Sequence, residues 1–226
     1  MRTYDDRPAA VLFDMDGLLV DSEPLWYEVE AEIAHSLGGE WLPADQAGCV
    51  GGPLHATARR ILARSASPAA LPDIENRLID GMASRLRRGV PLLPGAADLL
   101  AGLQQLGIPT ALVSSSERRL MDIALAGVTD HTFDASVAGD EVQARKPDPE
   151  AYLRAAALLG VDPTCCVALE DSRTGVAAAE AAGCLCVAVP DLAPVPATLT
   201  RPVLTSLAEI DADWLVSLPR RLRPAC

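Results

Sequence analysis

Residues 11–20 read VLFDMDGLLV: an apolar run meets Asp14, Met15, Asp16 and Gly17, and an apolar stretch then resumes up to Asp21. A buried strand has no reason of its own to be broken by two carboxylates two residues apart. Gly17 lets the backbone turn sharply at the break. The segment therefore reads as a strand whose carboxyl end is given over to chemistry, and the rest of the chain tells which.

Further short apolar runs follow, at Thr110–Val113, Cys165–Leu169, Cys184–Val189 and Val203–Leu207, and with Ala9–Phe13 they read as strands buried on both faces. Helical patterns alternate with them and stop at glycines: Ala96–Leu106 before Gly107, Glu150–Leu159 before Gly160, and Arg173–Ala182 before Gly183. Repeated strand and helix units of this kind imply an α/β fold, a three-layer, Rossmann-like parallel sheet covered by helices on both sides.

From Ser22 to about Arg88 only helical periodicity is found, through Trp26, Val29, Ile33 and Leu37, then Leu54, Ala58, Ile61 and Leu62, then Ile74, Leu78, Met82 and Leu86. Ser22 with Glu23 and Pro24 makes a helix start. An all-helical insert after the first strand sits over the carboxyl edge of the sheet, where open sheets bind ligands, and so acts as a lid. The expected division is 1–20 with 90–226 as the core and 21–89 as a helical cap. The return at VPLLPG, residues 90–95, is expected as a second hinge strand, and Asp211–Cys226 as a short helix with a frayed end.

Half of the 226 residues are apolar but only 4% are aromatic, so the core is built mainly from Ala, Leu and Val. A net charge of −12 argues against nucleic acid or an anionic membrane as partner, since both need a basic face. No run approaches the roughly 18 apolar residues of a membrane span. The opening MRTYDDRPAA resembles neither a signal nor a transit peptide. The chain thus reads as cytoplasmic, a monomer with a dimer as the alternative. Its six cysteines, two adjacent at 165 and 166 and two alternating at 184 and 186, read as reduced core thiols. The three histidines are too scattered for a metal cluster.

Four stations lie at the carboxyl ends of the expected strands. Asp14 and Asp16 form the first. Ser114, heading SSS after TALV, is the second; its hydroxyl and the amides that follow, Ser115 included, can hold phosphate oxygens at a helix start. Lys146, in ARKPDP where Pro147 and Pro149 stiffen the loop, is the third. Glu170 and Asp171, after CCVAL, are the fourth, and beside the first acidic pair they look like a cation site. Each station alone has a bland reading, as a turn, a helix cap, a solvated lysine or a helix-dipole acid.

In this order the stations resemble the haloacid dehalogenase-like (HAD) hydrolase superfamily. FDMDGLLVDSEPLW, LLPG, KPDPEAY and ALEDSRTG are similar to its capped branch of sugar-phosphate phosphatases and β-phosphoglucomutases, closest in look to the hexitol and 2-deoxyglucose-6-phosphate phosphatases. The resemblance implies a phosphoric monoester hydrolase that cleaves a small phosphorylated metabolite, a sugar or sugar-alcohol phosphate, through an aspartyl phosphate. It makes Asp14 the nucleophile. Asp16 becomes the acid that protonates the leaving oxygen and the base that later activates water. Lys146 and Ser114 complete the catalytic set, and Mg²⁺ is held by Asp14, Asp171, Asp16 through its backbone carbonyl, and Glu170 directly or behind the others. The charges demand this. At about 4 Å and an effective dielectric of about 20, each pair of like unit charges costs about 4 kcal/mol, and a dianionic phosphate doubles that. Ser115, Glu23, Trp26, Gly51, Gly52 and His55 are the expected substrate-binding residues.

A phosphomutase shares this core. Where β-phosphoglucomutases carry a histidine twelve residues beyond the nucleophile, this chain has Trp26, and its CVGGPLH loop, residues 49–55, has no basic side chain beyond His55 to hold a second phosphate. A dehalogenase needs neither the metal nor the second acid, and a phosphoacceptor switch has the acidic pair and the phosphorylated Asp in the reverse order.

Overall fold

The computed structural model describes residues 7–65, 67–128 and 131–222. At its centre is a five-stranded parallel sheet made of β1 (Ala10–Phe13), β2 (Thr110–Val113), β3 (Ala135–Val137), β4 (Cys166–Glu170) and β5 (Leu185–Ala188), in the order β3-β2-β1-β4-β5. Leu12 is level with Ala111 on one side and Ala168 on the other, so the first strand is the middle of the sheet.

Period-two alternation divides the core. Val11, Phe13, Leu112, Val167, Leu169 and Val187 face one layer, with α5 (Ala96–Gln105), α6 (Arg118–Leu125) and the last helix, α9 (Ala212–Leu222). Ala10, Leu12, Ala111, Ala168 and Cys186 face the other, against the alanine-rich α7 (Glu150–Leu159) and α8 (Arg173–Ala181). Small residues on this second face let both helices approach closely, which is how a chain with few aromatics fills its interior. Cys166, Cys184 and Cys186 are buried in that layer as expected.

Between β1 and β2 the chain forms α1 (Glu23–Ser36), α2 (Pro43–Ala47), α3 (Leu54–Arg64) and α4 (Leu71–Leu86). Val29, Ile33, Ala58, Ile61, Ile74, Leu78, Met82 and Leu86 make a separate apolar cluster there, joined to the rest by Leu120 of α6. An exposed ion pair, Arg119 to Asp80 at 2.6 Å, lies along the same contact.

Four expectations need correction. Val203–Leu207 is not a strand: Val203 makes a single bridge to Ala188, since Pro202 lacks an N–H and Ser206 caps a turn at Leu207–Glu209 by accepting from the Ala208 N–H. The return at 90–95 is likewise one bridge, Val20 with Leu92, flanked by Asp21 N–H to Pro91 O and Leu93 N–H to Leu19 O. Strand β3 was not expected, because an edge of three residues, two of them half-buried, leaves no apolar run. Ser22 stands at the start of α1 but does not cap it with its hydroxyl, which is spent on Asp16. The frayed end expected beyond α9, with Cys226, lies outside the described residues.

Candidate active site

The central position of β1 decides the geometry. Asp14 follows β1, Ser114 follows the neighbouring β2, and Glu170 and Asp171 close β4 on the other side, so all stand on one edge of the sheet. Lys146 arrives from the loop between β3 and α7. Its buried Nζ donates to Asp14 Oδ1 at 2.5 Å, Glu170 Oε1 at 2.6 Å and the Val113 carbonyl at 2.9 Å, using all three protons.

Glu170 is fully enclosed. Besides Lys146 it accepts from Tyr152 Oη at 2.5 Å and from Ser172 Oγ at 3.3 Å. A Cβ at Gly175 would stand about 2 Å from its carboxylate, so that glycine is what lets α8 pass over the acid. Asp171 is different. Its Oδ2 is buried and has no hydrogen-bond partner among the described residues. The same oxygen lies 2.7 Å from where a Cβ of Gly17 would be, and Gly17 has φ +77°. The sharp turn after Asp16 thus brings bare backbone against Asp171, as only glycine permits.

Asp14, Glu170 and Asp171 offer ligand oxygens within 4.8 Å of one another, all buried. Against three carboxylates stands one ammonium. Burial raises Asp14 to about 8; the Lys146 ammonium opposes this, but Glu170 and Asp16 add to it. Burial, then Asp14, Glu170 and Glu23, push Asp171 well above the carboxylate range. Burial would lower Lys146, yet the two carboxylates outweigh it and hold it above the ordinary lysine range. An unpartnered buried oxygen in a hard, oxygen-only donor set with uncompensated negative charge fits a divalent metal ion.

The Asp16 carboxylate stands apart from this cluster. Its Oδ1 accepts from Ser22 Oγ at 2.7 Å and Trp26 Nε1 at 3.5 Å, and its Oδ2 from Ser116 Oγ at 2.8 Å and Ser114 Oγ at 3.1 Å. The two aspartates, two residues apart, thus meet different partners: ammonium and acids for one, hydroxyls for the other.

A cavity of about 710 Å³, counting its open mouth, lies between this edge and the inserted helices. Asp14, Asp16, Ser114, Ser115, Lys146, Asp171, Glu23, Trp26, Gly51 and Gly52 line it. Two of the expected residues do not: Glu170 lies beneath its floor, and His55 is exposed to solvent on the first turn of α3. The loop carrying Gly51 closes on the core, with Thr174 Oγ1 donating to the Gly51 carbonyl at 2.7 Å. The cavity also takes in Glu30, Gln46, Cys49, Thr57 and Ser116, none of which sequence reasoning singled out. The signal for Glu30 was available: seven residues after Glu23, it shares one helix face with Glu23 and Trp26.

The comparisons with known proteins agree with this geometry. A family profile described as haloacid dehalogenase-like hydrolase matches residues 8–183. Hexitol phosphatase B of Escherichia coli K12 is 34% identical over 185 residues, which cover 80% of this chain and 83% of that protein. A phosphorylated carbohydrates phosphatase of Thermotoga maritima is 31% identical over 175 residues, covering 77% and 81%. The crystal structure of CbbY from Rhodobacter sphaeroides in complex with phosphate superposes with a TM-score of 0.78 at 28% identity, over 89% of this chain and 96% of that one. With the acidic edge, the buried lysine and the inserted helices in place, the chain belongs to the haloacid dehalogenase-like hydrolase family.

Proposed function

We propose that this chain is a Mg²⁺-dependent phosphatase that hydrolyses a small sugar or sugar-alcohol phosphate through a phosphorylated Asp14. One observation carries the reading: the unpartnered Oδ2 of Asp171 lies buried in a three-carboxylate cluster whose Asp14 is also bonded to Lys146. Hexitol phosphatase B and the Thermotoga enzyme, by their names, act on such compounds and support the substrate class.

Asp14, Asp171 and the Asp16 backbone carbonyl would hold the ion, with Glu170 beneath them fixing Lys146. Bound there, Mg²⁺ supplies the positive charge that lets an anionic phosphate approach a carboxylate. Ser114 and the Ser115 amide hold phosphate oxygens. Asp14 attacks phosphorus while Asp16, steadied by Ser22, Ser114 and Ser116, gives a proton to the leaving oxygen. Asp16 then takes a proton from the water that hydrolyses the acyl phosphate. Residues 21–89 act as the lid over a core of 1–20 and 90–226, with Glu23, Trp26, Gly51 and Gly52 against the substrate.

A mutase must hold a second phosphate. Lys146 is the one cationic side chain among the described residues lining the cavity, and its protons are already used. The test is purified protein with a panel of sugar and sugar-alcohol phosphates. Phosphate release that depends on Mg²⁺ supports the reading; isomerised product without release contradicts it. The enzyme is further read as a cytoplasmic monomer, which light scattering and cell fractionation check.

A further inference from the structure

We infer that the cap-side wall of the cavity selects a leaving group whose far end is uncharged and donates hydrogen bonds, a run of hydroxyls, and that Glu30 reads it and rejects a second phosphate there. This rests on the phosphatase reading and goes on to say which esters that site accepts. Glu23, Trp26 and Glu30 fall at i, i+3 and i+7 of α1 and line the cavity together. Glu30 is only 3% exposed. Its Oε2 accepts from Trp41 Nε1 at 3.0 Å, while its Oε1 has no hydrogen-bond partner among the described residues.

Gln46 has the complementary property. Its Nε2 donates both protons to Glu23, to the backbone carbonyl at 2.6 Å and to Oε2 at 3.1 Å, which leaves its own carbonyl oxygen as an acceptor. Trp26 sends its indole N–H to Asp16. The side-chain donors of Trp26 and Gln46 are therefore spent, while acceptor oxygens of Glu30 and Gln46 remain. To meet these oxygens a ligand brings its own N–H or O–H groups, and an anionic oxygen here would face the Glu23 and Glu30 carboxylates, while the Arg60 guanidinium behind Cys49 is already bonded to the Asp45 carbonyl.

Three esters of one chain length separate the possibilities at pH 8 with saturating Mg²⁺: glucitol 6-phosphate, hexyl phosphate and glucitol 1,6-bisphosphate. For the wild type, kcat/KM is expected to be about tenfold lower for hexyl phosphate and about a hundredfold lower for the bisphosphate. In Glu30→Gln, which keeps an acceptor oxygen for Trp41, both ratios are expected to shrink about tenfold, through KM for the hydroxylated substrate. The wild-type ratios need no variant to fold. Equal rates on glucitol 6-phosphate and either competitor would overturn the inference, as would unchanged ratios in Glu30→Gln. Failure to release phosphate from any ester, p-nitrophenyl phosphate included, would instead remove the phosphatase reading and with it the ground for this one.

Discussion

Asp171, whose Oδ2 is buried without a partner, and Glu30, a buried residue of the cavity wall, make different predictions. Replacing Asp171 with Asn removes one charge from the crowded cluster, so without metal the variant is expected to melt at or above the wild-type temperature at pH 8. Mg²⁺ at about a hundred times its dissociation constant stabilises the wild type by about 2.7 kcal/mol and the variant hardly at all, which a thermal-shift titration reads directly. Glu30 governs a pH dependence. Burial raises its carboxyl to about 7 from the ordinary 4.5, although the Trp41 hydrogen bond opposes this. The folded protein holds this proton more tightly than the unfolded chain, so the contribution is complete below pH 4.5 and lost as pH rises to about 7. With saturating Mg²⁺, wild-type stability is expected to fall across that window relative to Glu30→Gln, by roughly 3 kcal/mol at most; parallel melting curves would contradict it. Asp14, Ser114, Lys146 and Asp171 were legible in the sequence because each follows an apolar run or, for Lys146, directly precedes a pair of prolines. Tyr152 and Gln46 were not, since their roles depend on contacts with Glu170 and Glu23, 18 and 23 residues away.

The elements that place these side chains meet at two glycines. Gly17 admits Asp171, and Gly51, with φ +65°, lies where a Cβ would be 2.5 Å from Ser172 Oγ and 2.6 Å from Thr174 Oγ1. Gly51→Ala is expected to lift the loop from the start of α8 and lower kcat/KM about tenfold, with about 1 to 2 kcal/mol lost from the left-handed backbone. Thr174→Val removes the 2.7 Å bond to the Gly51 carbonyl and a 3.4 Å contact with Ser172 Oγ. It is expected to reduce kcat/KM severalfold with an unchanged melting temperature, measured by steady-state kinetics beside calorimetry. At this scale the apolar runs marked four of the five strands, because burial on both faces leaves an uninterrupted signature. They missed β3, a three-residue edge, and overread Val203–Leu207, where apolar composition passed for a strand although Pro202 and the capped turn at Ser206 stop the ladder.

As a whole, the molecule carries a net charge of −12, so the positive charge that an anionic ester needs has to be built in at the site itself. The lysine at the site is buried and triply bonded, and the remaining charge compensation falls to the metal. The order of the four stations along the chain was enough to point to the family, since a parallel sheet with β1 in its middle brings strand ends together that are far apart in sequence. What order alone left open was the cap-side wall, built by helices whose packing sets which polar groups turn inward. Among the described residues, no helix is long and apolar enough to cross a membrane. The central claim, that Asp14 becomes phosphorylated, is tested most directly by rapid acid quench during reaction of Asp16→Asn with p-nitrophenyl phosphate, whose leaving group needs no acid, followed by peptide mass spectrometry. With Mg²⁺, phosphate is expected on the peptide containing Asp14, absent without the metal and absent when Asp14 is also changed to Asn. Phosphate release by the wild type with no phosphorylated peptide in either enzyme, or with the label on another residue, would contradict the account.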